Sequence, residues 1–190
     1  MILSNVEIIR ALDAGHIRVE PLAGRDPTQP PFNTTSVDLR LGPRLSRPRE
    51  VPAGIDLRKG KIASFLANNC DHFTTTEEQP YQLRPGQFIL GQTIEKVAFP
   101  ILSDGKCYSA RVEGKSSLAR CGILVHFTAP TIHCGFEGPI TLEFNNFGPN
   151  SFVLSPGLFV CQIIIENVLG RPVDAPNQFR GQTTPEGTHS

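Results

Sequence analysis

From Ser36 to Leu41 apolar and polar residues alternate with period two, the spacing of a half-buried strand. Upstream, Val6, Ile8, Ile9 and Leu12 recur at helical spacing. Ser4 followed by Glu7 fits a capping box and Gly15 stands where such a helix would stop, so one short N-terminal helix is predicted. Residues 24–31 (GRDPTQPP) read as a loop and residues 43–52 as a polar, basic excursion. Pro85-Gly86 and Pro156-Gly157 each sit between β-prone residues, which predicts two hairpins and a pseudo-symmetric β barrel or jelly roll. Residues 140–144 and 159–165 are apolar enough for strands buried on both faces. Beyond residue 169 Pro, Gly, Thr and Gln prevail without hydrophobic periodicity, predicting a domain over 1–169 and a flexible C-terminal arm over 170–190.

Composition sharpens this picture. Seventeen glycines, seventeen prolines and only 19% charged residues in a chain of 190 describe many short elements joined by turns, which favours a mainly β domain over a helix bundle. Lys plus Arg equals Asp plus Glu at 18 each, so no global field draws the protein to nucleic acid or an anionic membrane. No apolar run approaches the roughly 20 residues that cross a bilayer, and the N-terminus lacks a basic segment before an apolar one; a cytoplasmic protein is expected. Its five cysteines are odd in number and lack a C-x-x-C pair, so they read as reduced, mostly buried thiols.

Several chemistries can be set aside. A zinc nucleobase deaminase needs H-x-E and P-C-x-x-C, and neither occurs. Walker A, G-x-G-x-x-G and nucleophile-elbow motifs are absent as well. What remains is G-K-S-S-L-A-R at residues 114–120, where Lys115, Ser116, Ser117 and Arg120 gather. On a helical turn the amides and hydroxyls of both serines and the lysine charge meet at one place and suit a phosphate; a serine-rich cap beside a surface arginine explains the pattern equally well. Downstream, Gly135 and Gly138 bracket Phe136 in a turn that can present an aromatic face to a flat ligand. Glu143, a lone acid among apolar strand residues, is either used or paired, with Arg120 as the obvious counter-charge. His126 in its apolar run reads as a hydrogen-bonded core or site-wall residue rather than a metal ligand.

The stretch E-G-K-S-S-L-A-R-C-G-I-L-V-H-F-T-A-P, followed by I-H-C-G-F-E-G-P-I-T-L-E-F, resembles the core of the dCTP deaminases of the trimeric dUTPase superfamily. The opening M-I-L-S-N, T-S-V-D-L-R-L-G at residues 35–42 and F-R-G-Q at residues 179–182 extend the likeness over most of the chain, with residues 43–80 the least informative. The resemblance implies a distorted β-barrel or jelly roll of the dUTPase-like type, assembled as a homotrimer with sites between subunits. It implies a hydrolase acting on the C–N bond of a cyclic amidine: dCTP becomes dUTP and ammonia, a step toward dUMP and dTTP, without zinc or any protein-held metal and with magnesium carried by the triphosphate.

By the family's pattern Glu143 is the general acid/base, Ser116 and the backbone at Ala129 hold the attacking water, and Arg120 fixes the carboxylate. The backbone of Thr141, Leu142 and Glu143 reads the base, Phe136 and His133 meet the nucleoside, and Lys115, Ser117, Gln178 and Gln182 face the phosphates. His133 replaces the family's sugar-binding Asp, Lys115 replaces an arginine, and Gln178 stands where a lysine is usual. An imidazole accepts a hydroxyl's hydrogen bond but is a weaker base than the Asp that activates water in the dUTPase branch, which favours deamination over diphosphohydrolysis, alone or combined. The remaining alternative is a nucleotide-binding regulator without turnover.

Overall fold

A computed structural model describes every residue except 53, 57, 59–61, 104, 189 and 190, so the last two residues of the expected arm lie outside the described residues. In chain order the elements are α1 (Asn5–Asp13), β1 (Arg18–Glu20), β2 (Phe32–Asn33), β3 (Ser36–Pro48), α2 (Ile62–Asn68), β4 (Cys70–Thr74), β5 (Tyr81–Leu83), β6 (Phe88–Ala98), β7 (Cys107–Gly114), α3 (Ser116–Arg120), β8 (Ile123–Leu124), β9 (Thr131–Ile132), β10 (Glu137–Asn146), β11 (Phe152–Leu154) and β12 (Phe159–Val168). The protein is mainly β with a short N-terminal helix, as its turn-rich sequence predicts. Ser4 caps α1 by accepting from Glu7 N at 3.4 Å, and Gly15, at φ +71°, turns the chain out of it. Ile8, Ala11 and Leu12 face the core, while Val6 of the predicted stripe stays exposed.

One sheet runs β8-β10-β6-β3-β12-β7-β9, with β1 added to β6 and β2 and β4 added to β3; β5 and β11 form a second, small sheet. The basic excursion expected at 43–52 is largely strand, because β3 continues to Pro48 and pairs with β4 from Arg44 onward. Its basic side chains ride on an edge with partners: Arg47 binds Asp71 at 2.8 Å. Helix α2 had no sequence forecast; Asn68 and Asn69 close its C-terminal end by donating to Ser64 O and Phe65 O, both at 2.9 Å, and none of its residues is fully buried.

The two Pro-Gly turns are corners, not hairpins. Pro85-Gly86 carries the chain from β5 into β6 and Pro156-Gly157 from β11 into β12, while β5 pairs with β11. Both glycines adopt positive φ, +74° and +85°, as the turn chemistry demands. The repeated motif thus marks where two antiparallel segments leave the small sheet at its opposite ends.

Strands β10 and β12 were expected to be buried on both faces, yet each buries one. Leu142 and Phe144 of β10 are fully buried and Thr141, Glu143 and Asn145 are not. Burying such a leucine or phenylalanine contributes about 1.5–3 kcal/mol, so the core-facing residues fix the register that turns Glu143 outward. No helix among the described residues is long and apolar enough to cross a membrane.

The five cysteines are free thiols. Burial pushes the Cys70 and Cys134 thiols up to about 11 and drives Cys161 higher still, whereas Cys121 is exposed. Near neutral pH, a limiting thiol reagent is expected to label Cys121 first and to spare Cys107 and Cys161 until the protein is denatured. Peptide mapping by mass spectrometry checks the order, and early labelling of Cys161 would contradict this packing.

Candidate active site

Glu143 is positioned from both sides of its strand. In β10 it lies opposite Leu90 of β6, and its own N–H donates to Val125 O at 2.9 Å. Two residues further along the same incoming segment, Phe127 N donates to the Glu143 carboxylate at 2.9 Å. The chain at 125–127 therefore grips the backbone and side chain of one residue. A carboxylate so held is aimed rather than free to search rotamers.

It faces a cavity of about 440 Å³, within the range of small-ligand sites. Leu90, Val112, Ile132 and Ile140 supply an apolar wall, and Ala129, His133, Phe136, Thr141 and Gln182 of the expected set line it with Glu143. The turn at residues 133–136 closes one end. Phe136 N donates to His133 O at 3.1 Å, Gly135 N donates to Phe99 O at 2.6 Å, and Gly135 takes φ +92°. Phe136 is buried and His133 is exposed at the rim.

The arm beyond residue 169 returns over this cavity. Gly181 N donates to Glu137 O at 2.6 Å, and Gln182 Nε2 donates to Pro139 O at 2.8 Å and Thr141 Oγ1 at 3.2 Å. Gly138, at φ +142°, makes the approach possible, since a Cβ there would lie 3.2 Å from Gln182 O. Phe179, Pro185, Glu186 and Gly187 also border the cavity. Nothing in the arm's composition announced these four residues, and their placement arises from chain return alone.

The remaining candidates lie elsewhere. Ser116, Ser117 and Arg120 are exposed on α3, which packs on β8, and β8 pairs with Asn145 and Asn146 at the C-terminal end of β10; none of the three lines the cavity. Lys115 at the N-cap of α3 is ion-paired with Asp38 Oδ2, while Asp38 Oδ1 accepts from Asn33 at 2.9 Å. Gln178 is exposed, and the Leu142 side chain turns into the core. Among the described residues no ion pair joins Arg120 to Glu143; the carboxylate's partner is the Phe127 amide. His126 does line the cavity as a wall residue, but its buried Nδ1 lacks the expected hydrogen-bond partner.

This arrangement offers a fixed carboxylate, an apolar slot with an aromatic end and a polar lid, within one chain. A family profile described as dCTP deaminase-like matches residues 2–168. A dCTP deaminase, dUMP-forming, of Methanosphaera stadtmanae is 36% identical over 97% of this chain and 91% of its own length. A dCTP deaminase of Rhodospirillum rubrum is 37% identical over 93% of this chain and 87% of its own. Among solved structures, 2'-deoxycytidine 5'-triphosphate deaminase from Agrobacterium tumefaciens superposes with a TM-score of 0.64 at 22% identity. That match covers 86% of this chain and 47% of the other, so the chain spans about half of that structure and shares its fold. By the extent of the profile match and these relatives, the chain belongs to the dCTP deaminase-like family.

Proposed function

We propose that this protein deaminates dCTP to dUTP and ammonia, with Glu143 moving the protons. The observation that carries the reading is the Glu143 carboxylate, fixed by Phe127 N–H on the wall of an apolar cavity in a chain of this family. Glu143 takes a proton from water as the oxygen adds to C4 of cytosine. It delivers that proton to ring N3 and then carries the remaining hydroxyl proton to the exocyclic nitrogen; the C4–N bond breaks, ammonia leaves, and a C4 carbonyl beside N3–H remains. The apolar wall keeps bulk water away from the reacting groups.

In this reading the backbone of Ala129 and the Ser116 hydroxyl hold the water, and Arg120 steadies Glu143. The backbone of Thr141 to Glu143 reads the base edge, Phe136 flanks the nucleoside and His133 meets the sugar hydroxyl. Lys115, Ser117, Gln178 and Gln182 face the phosphates, with magnesium riding on the triphosphate. Within one chain α3 stands off the cavity, which supports a homotrimer in which the α3 of one copy completes its neighbour's site. A cytoplasmic location belongs to the same reading. Incubation with dCTP and magnesium, followed by mass spectrometry for dUTP and an ammonia assay, tests it; no turnover of dCTP would overturn it.

Lys115 gives a separate check. Lys115→Met removes a phosphate-facing charge and strands the largely buried Asp38, so KM for dCTP should rise about tenfold and stability should fall by about 1–2 kcal/mol. Steady-state kinetics and urea unfolding read the two effects independently. A second reading, deamination coupled to cleavage of the α–β phosphoanhydride, is favoured by the dUMP-forming relative. Pyrophosphate release from dCTP or dUTP would establish it; the imidazole at His133 in place of a carboxylate predicts none.

A further inference from the structure

Glu186 is a carboxylate almost out of solvent, its side chain only 3% exposed, at the tip of the arm and with no place in the chemistry above. Ser46 Oγ of β3 donates to Glu186 Oε1, and the ring nitrogen His72 Nδ1 of β4 lies 3.3 Å from the same oxygen. Around this tip the arm closes on itself: Thr183 N donates to Thr188 O at 2.9 Å and Gly187 N to Thr184 O at 3.0 Å. Arg44 donates to Thr183 O, and the Gln92 amide, oriented as its neighbours require, donates to the same oxygen at 3.2 Å. The tip is thus a compact turn clamped on β3 and β6.

An apolar tip would cap a cavity as well, and at lower cost. A buried carboxylate is tolerated only where donors meet it, so it docks at one position and rejects slipped ones. That position matters because Gln182, four residues earlier, is seated on Pro139 O and Thr141 Oγ1 of the strand that carries Glu143. We propose that Glu186 is a positioning residue for nucleotide binding: seated between Ser46 and His72, it holds the arm so that Gln182 stays docked on β10. The role of Gln182 rests on the deaminase reading; the docking of the arm does not.

Glu186→Leu separates the two. Hydrogen–deuterium exchange should show the amides of residues 179–188 losing protection, while the core strands keep theirs. KM for dCTP should rise about tenfold, with kcat at saturation within about twofold of wild type. Glu186→Gln, which keeps an acceptor for Ser46, should recover most of the KM. Ser46→Ala should reproduce the Glu186→Leu phenotype from the opposite partner. Unchanged arm exchange in both Glu186→Leu and Ser46→Ala overturns the proposal, as does a released arm with an unaltered KM. If wild-type protein does not turn over dCTP, the exchange result still decides whether Glu186 docks the arm, and the deaminase reading alone falls.

Discussion

Glu143→Gln is expected to lower kcat for dCTP deamination by about 10^2- to 10^4-fold, the usual contribution of a positioned general acid/base. The substitution is nearly isosteric, and its amide oxygen can still accept from Phe127 N, so the grip of residues 125–127 on β10 survives. What is lost is the ability to carry a proton between water and the leaving amine. Calorimetric affinity for dCTP should therefore stay within about threefold of wild type, because the base contacts assigned to this strand are backbone groups. Glu143→Ala should behave differently, since it also leaves the Phe127 amide without its acceptor and so loosens the cavity wall. Parallel losses of kcat in both variants, with binding retained only in Glu143→Gln, fit a catalytic carboxylate. Wild-type kcat in Glu143→Gln would remove Glu143 from the chemistry.

How much of this could be read from residues alone depends on how local the signal is. The cap at Ser4, the alternation of β3 and the turns at Gly86 and Gly157 are short-range, and the structure keeps them. The role of those turns was misjudged because β5 pairs with β11, a partner some 70 positions away that no local pattern reveals. Apolarity overstated the burial of β10: Thr141 and Glu143 belong to a face open to a cavity, and that face was built by distant segments. The site divided along the same line. Ala129, His133, Phe136, Thr141 and Glu143 come from one contiguous stretch and meet in the fold, joined by Gln182 from the arm. Spacing grouped Ser116 and Arg120 with them, but within one chain both are exposed on α3 and neither lines the cavity, so sequence proximity did not become contact. Glu186 carries no composition signal, and only the return of the arm gives it meaning.

The segment that leads away from α3 makes the other strong prediction. Gly148 follows β10 and crosses the end of α3 so closely that a Cβ on it would sit 2.1 Å from Cys121 O. Opposite it, Gly122 holds φ +86°, and a Cβ there would meet Gly148 N at 2.5 Å. These are backbone-to-backbone approaches, which no rotamer change relieves. The crossing is also stitched by a hydrogen bond from Phe147 N to Gly122 O at 2.8 Å, and Gly148 N is held locally by Asn146 Oδ1 at 3.0 Å. Buried Asn146 in turn donates to Leu83 O and Asn150 O at 3.1 and 2.8 Å, tying the crossing to the small sheet. Gly148→Ala must therefore move one chain away from the other, and a destabilisation of about 2–4 kcal/mol is expected from urea unfolding. Gly24→Ala, where nothing lies within 4 Å and φ is not positive, should stay within about 0.5 kcal/mol of wild type. Because the displaced backbone begins immediately after Arg120, folded Gly148→Ala protein should lose deaminase activity out of proportion to the fraction unfolded. The comparison is a core variant of equal stability loss away from this crossing, such as Ile163→Ala in β12. Equal activity in the two at matched folded concentration would mean that the setting of α3 is irrelevant to turnover. A lower kcat in Gly148→Ala alone would tie Ser116 and Arg120 to the reaction through the backbone that places them.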